Sequence, residues 1–181
     1  LQNENRSILA EEALPLLLQL LDRNGLSPAE RRYVQWLEQW EYRFDADAKA
    51  PMVFVEWMQQ TRRLAFDEVY SLADSIPLLY TENWRLVELL EKHPEHLIFD
   101  RKDTPEVETA REVVTAALQA VNENWETEFN REDYNWAMHK STDIYHLARI
   151  PAFSRLDLPV GGYREAPNAI SETTGPSWRV I

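Results

Sequence analysis

The chain has 181 residues, about the size of one domain, with enough apolar content to bury a core. Its net charge of -12 argues against a phosphate-tracking nucleic-acid binder, and the absence of cysteine excludes disulfides, thiolate catalysis and cysteine-ligated metals. The longest solid apolar stretch, Leu14 to Leu21, spans eight residues with Gln19 inside it, where a membrane span needs about 20.

The first helix is predicted over Ser7 to Asp22. Its leucines cover most of its circumference, which predicts a central, buried position. Pro15 cannot donate a backbone hydrogen bond and should kink or restart it, and Asn24-Gly25 reads as its stop. In the second helix Ser27 is the N-cap, Pro28 the first helical residue and Glu30 the partner in a capping box. Tyr33, Trp36, Leu37, Trp40 and Phe44 then fall on one helical face, which reads as a packing stripe. The alternative is a recognition surface formed by Tyr33, Trp36 and Trp40 on a free-standing helical binding module. That reading requires the face to be exposed.

A third helix is predicted from Pro51 to Tyr70, apolar in its first half, with Arg62-Arg63 on a solvated face. A short helix follows over Trp84 to Lys92, ended by Pro94. The next helix has the most regular apolar spacing in the chain. It is predicted to start at Thr104 with Pro105 behind the cap and to end near Asn122, with Trp125 and Phe129 closing the core beyond it. From about Ile150 prolines recur, and three of the four glycines (Gly161, Gly162 and Gly175) lie in the last 21 residues. Leu158 to Ala166 reads as an extended segment with a turn, and Ser177 to Ile181 as a strand. The expected fold is mainly α: a helical subdomain over 1–150 and an extended or β segment over 151–181.

Self-contained chemistry is hard to find. There is no Gly-rich phosphate loop, no nucleophile elbow and no H-E-x-x-H. His93 and His96 are separated by Pro94, which breaks the helical geometry two ligands need, so a metal-dependent hydrolase using them is the weakest reading. Glu41, Asp45 and Asp47 could hold a hard cation, but read better as a solvated acidic turn. His139 and His146 are about 10 Å apart along any shared helix, too far for one metal, and each reads as packed or hydrogen-bonded. Ser177 has no base nearby in sequence. Leu1 is neither Met nor the start of a signal-like segment, and Ile181 closes an apolar stretch. These ends read as those of a piece of a longer polypeptide.

The last 50 residues carry a family resemblance. Trp136-Ala137-Met138-His139, then Leu158-Pro159-Val160-Gly161-Gly162, then Asn168-Ala169, then Gly175-Pro176-Ser177-Trp178-Arg179-Val180-Ile181 resemble, in order and spacing, the penicillin acylase (penicillin amidase) family. Upstream, Glu11 to Leu17 resembles its helical region and Trp40 to Asp47 one of its turns. Ala137 stands where the family has Gly, Glu41-Tyr42 where it has Asp-Gly, and Asp47-Ala48 lacks its Ser.

The resemblance implies a section of the β subunit of a larger α+β N-terminal-nucleophile hydrolase. In that family a precursor is cut into α and β subunits, and the new N-terminal serine of β attacks an acyl amide. Its α-amine, with a pKa near 8, suits the role of base, and a backbone amide with an asparagine forms the oxyanion hole. The substrate implied is a β-lactam side chain, an acyl-homoserine lactone or a related N-acyl compound. The partners implied are the α subunit and the rest of the β subunit. None of the family's catalytic, cofactor or metal residues maps onto this sequence. Calcium is expected only in the parent enzyme, and Asn168, Ser177 and Arg179 are expected to be structural. The section alone is expected to be inactive, and the parent periplasmic or secreted, with which the lack of cysteine is compatible.

Overall fold

The computed structural model describes residues 3–71, 81–102 and 104–175. These form a mainly helical unit with one small antiparallel sheet. The helices are α1 (Ile8–Leu20), α2 (Pro28–Glu38), α3 (Ala50–Ala65), α4 (Asp67–Ser71), α5 (Asn83–Lys92), α6 (Ala110–Phe129) and α7 (Trp136–Lys140). The strands are β1 (Thr142–Ile144) and β2 (Arg155–Leu158), so their pairing crosses residue 150.

The centre of the molecule is α3 against α6. Met52, Val53, Phe54 and Trp57 interleave with Val113, Val114, Ala117, Leu118 and Val121, all buried. The Trp57 indole donates to the Val114 carbonyl at 2.8 Å, which allows a large aromatic body to be buried without orphaning its polar edge. α2 packs on both central helices, and α1 packs on α5 and α6.

α1 therefore lies on the flank and not at the centre. Leu9, Ala13, Leu14 and Leu17 are buried, but Leu16, Leu18 and Leu20 are half-buried and Ile8 is exposed. Pro15 does not restart the helix. It faces solvent, where the Glu11 carbonyl that it leaves without an intrahelical partner can bond water. The capping box at Ser27 is present as predicted. α2 ends at Glu38, so Trp40 and Phe44 reach the core from a turn beyond it. Tyr42 in that turn has φ +61°, and Trp40 Nε1 donates to the Arg43 carbonyl at 2.8 Å.

Four predicted boundaries are corrected. The third helix breaks at Phe66, and α4 is a separate short piece. α6 starts at Thr109 and not at Thr104: Thr109 and Glu112 form the capping box, while the Thr104 hydroxyl is bound into a turn with the Arg101 carbonyl and Glu108. α6 also continues to Phe129, so Trp125 and Phe129 are part of it, one turn apart, with rings stacked at 5.8 Å. The extended segment expected from Leu158 begins earlier, as β2, and pairs with β1 in a register of Thr142↔Leu158 and Ile144↔Arg155 with a bulge between. The strand predicted at 177–181 lies outside the described residues. No helix among those described is long and apolar enough to cross a membrane.

Candidate functional site

The five-residue helix α7 organises the site. Asn135 caps it by accepting from Met138 N, and Ser141 ends it in the left-handed region. Trp136, His139 and Lys140 stand at i, i+3 and i+4, so they share one face. That face borders a cavity of about 270 Å³ whose other walls come from α3, α6, the start of α5 and residues 163–172.

His139 is held on both nitrogens. Nε2 lies 3.0 Å from Glu56 Oε1 and Nδ1 lies 3.3 Å from the Tyr134 hydroxyl. A carboxylate oxygen only accepts, so Nε2 donates, and in the neutral ring Nδ1 accepts from Tyr134. The rings of Trp125, Phe129 and Trp136 enclose the imidazole at 4.8, 5.7 and 6.0 Å. Burial raises the Tyr134 phenol above its ordinary pKa, and nearby Glu128 adds to this.

Lys140 is also buried. Its ammonium donates to the carbonyls of Gly161 at 2.7 Å, Gly162 at 3.3 Å and Ile170 at 3.4 Å. Burial lowers its pKa to about 8, opposed by the charge of Glu172. Trp136 Nε1 donates to the Gly162 carbonyl at 2.9 Å. On the far wall Asn83 links two charges, accepting from Arg62 at 3.1 Å and donating to Glu165 at 2.7 Å. Arg62 is half-buried here, not on the solvated face expected of Arg62-Arg63; Arg63 is exposed.

The other sequence candidates do not converge. The His96 ring caps a single 3-10 turn by accepting from Ile98 N at 3.1 Å. His146 Nδ1 accepts from Ala148 N at 3.3 Å, and its ring packs on Phe153. Asp45 is taken by Arg43 and by Asn5, while Glu41 and Asp47 point to solvent. Among the described residues no three carboxylate or imidazole groups gather to hold a metal ion. Tyr33 is buried and Trp36 and Trp40 are half-buried against the core, so they do not form an open recognition face. Asn168 is buried, donating to Asn5 Oδ1 at 2.9 Å while its carbonyl accepts from Tyr163 N at 3.1 Å. Ser177 and Arg179 lie outside the described residues.

Sequence reasoning missed Glu56, Asn83, Lys140 and Glu165. Glu56 left a trace, as a lone carboxylate in the apolar run from Met52 to Met58.

The motif residues thus meet each other. Trp136 and Lys140 grip Gly161-Gly162, and Asn168 anchors the same loop to Asn5 near the start of the chain. Neither His139 nitrogen faces a serine. The class this defines is a mainly helical unit whose motif residues lock a glycine loop beside an interior carboxylate–imidazole pair.

The chain belongs to the penicillin amidase family, whose model matches residues 1–181, and with it to the acylase-like hydrolases. A comparison with curated proteins finds none that matches.

Proposed function

We propose that these residues are a non-catalytic section of an N-terminal-nucleophile hydrolase that cleaves acyl amides such as β-lactam side chains or acyl-homoserine lactones. The observation that carries this reading is the family match over the whole chain, combined with the use of its motif residues. Trp136 and Lys140 spend their side-chain donors on the carbonyls of Gly161 and Gly162, and Asn168 donates its amide to Asn5, so these donors hold the loop. An acyl transfer enzyme needs a nucleophile with a base in reach, and His139 is occupied by Glu56 and Tyr134. In this reading the nucleophile, oxyanion hole and any calcium belong to the remaining α and β polypeptide, with 151–181 leading toward the catalytic core, in an exported enzyme.

The test is direct. The 181-residue chain is incubated with a chromogenic phenylacetyl amide and with a fatty-acyl amide. No release above the uncatalysed rate is expected, and turnover sensitive to His139→Ala would overturn the assignment.

A further inference from the structure

We infer that the hairpin of β1 and β2 is a dimerisation arm, whose tip seats in the groove at the base of the same arm in a second copy of the chain. No residue from Asp143 to Val160 is buried. The two strands pack chiefly on each other, and β2 rests on α7. Ile144, Tyr145, Leu147, Ile150, Phe153 and Leu156 are all exposed, Leu147 fully. Together they present on the order of 600 Å² of apolar residue surface, a large share of the ~800 Å² that each partner gives to a standard interface. A two-stranded hairpin with no core beneath it is marginal in water, so covering it stabilises it. Strand addition is not the mode: the bulge between Thr142 and Ile144 and the left-handed Asp157, at φ +51°, twist the outer edge of β2 away from pairing.

The chain carries the complement of its own arm. Between Ile144 and Ser154 the only Lys, Arg, Asp or Glu is Arg149, whose guanidinium lies over the Tyr145 ring at 4.7 Å and meets no carboxylate among the described residues. At the base of the arm is a groove of about 630 Å³ with apolar walls from Ala46, Ala137, Met138 and Pro159. Its charged groups are Asp47 and Asp157, and its described lining holds no Lys, Arg or His. Asp157 accepts from the Ser141 hydroxyl at 3.2 Å, and Asp47 has no partner among the described residues. Nearby Arg131 is already bound by Asp133. An apolar tip bearing an unpaired cation thus matches an apolar groove bearing two carboxylates without a counter-ion. Tip and groove lie at opposite ends of one hairpin, so they do not meet within a copy. Two arms laid antiparallel about a two-fold axis bring each tip to the other's groove, and the contact is made twice. The net charge of -12 opposes association elsewhere on the surface, whereas on the arm Arg149 and Arg155 balance Asp143 and Asp157.

Sedimentation velocity on the 181-residue chain tests this at fixed ionic strength. A monomer–dimer equilibrium with a Kd of about 1–50 μM is expected, without larger species. Leu147→Glu should weaken it at least tenfold. So should Asp47→Arg and Arg149→Asp singly, while the double variant carrying both should return to within about threefold of wild type, because it restores the pair across the interface with its signs exchanged. Leu147, Asp47 and Arg149 are all exposed, so far-UV circular dichroism and the melting temperature should stay those of wild type. The inference is overturned if the chain stays monomeric up to about 200 μM, which would leave the arm to a different partner such as the remaining polypeptide. Association that runs past the dimer, a dimer untouched by Leu147→Glu, or a double variant as weak as its parents would overturn it as well.

Discussion

The Lys140 ammonium and the Gly161 carbonyl, 2.7 Å apart, tie a helix of five residues to a loop twenty-one positions later. With Gly162 and Ile170 the same nitrogen meets three carbonyls, one for each of its hydrogens. Lys140→Met removes all three donors while relieving the burial of a charge. A loss of about 1–3 kcal/mol in urea denaturation at pH 7 is expected.

The same lysine sets a pH dependence. Its pKa is about 8 in the folded chain against an ordinary 10.5. Between those values the unfolded chain holds more protons than the folded one, so stability rises with pH across this window, by up to about 3 kcal/mol. Urea midpoints measured from pH 7.5 to 10.5 should show the rise in the wild type. Lys140→Met should not show it.

Gly161 and Gly162 are sterically required. A Cβ on Gly161 would stand 2.6 Å from the Phe44 carbonyl oxygen, and one on Gly162 would stand 2.5 Å from that of Asn168, at a φ of +92°. Either change to Ala should cost more than about 2 kcal/mol. Gly175→Ala meets nothing within 4 Å among the described residues and is the control, expected within about 0.5 kcal/mol of wild type. Thermal melts of the three variants check the ranking.

Thr109→Ala should remove about 1 kcal/mol, because it deletes the side chain that caps α6. Hydrogen exchange at the amides of Arg111 and Glu112 should speed up first, with the middle of the helix protected.

Trp57→Phe should cost about 2–3 kcal/mol, through lost volume at the α3–α6 contact and a lost hydrogen bond to the Val114 carbonyl. Urea unfolding followed by far-UV circular dichroism measures it.

Local chemistry made much of the helical layer legible. The box at Ser27, Pro28 and Glu30 and the apolar spacing from Val113 to Val121 are short-range signals, read within one or two turns of chain. The start of α6 shows where such signals compete: Thr104-Pro105 and Thr109-Glu112 are both plausible caps, and exposed Val107 leaves nothing to bury one turn earlier. α7, β1 and β2 are too short for a periodic signal, so only their packing defines them. The family resemblance was legible because its motif residues keep their order along the chain. What Trp136, Lys140 and Gly162 do was not, since it depends on contacts 21 to 26 residues apart.

By itself the sequence determined a helical chain of net charge -12, without cysteine chemistry, and the family its motifs resemble. Only the tertiary structure decided that α3, and not α1, occupies the centre, because burial depends on which faces meet and not on how many leucines a helix carries. It alone joined Glu56 to His139 across 83 positions, since a buried charge is compatible with the fold only where a distant partner satisfies it.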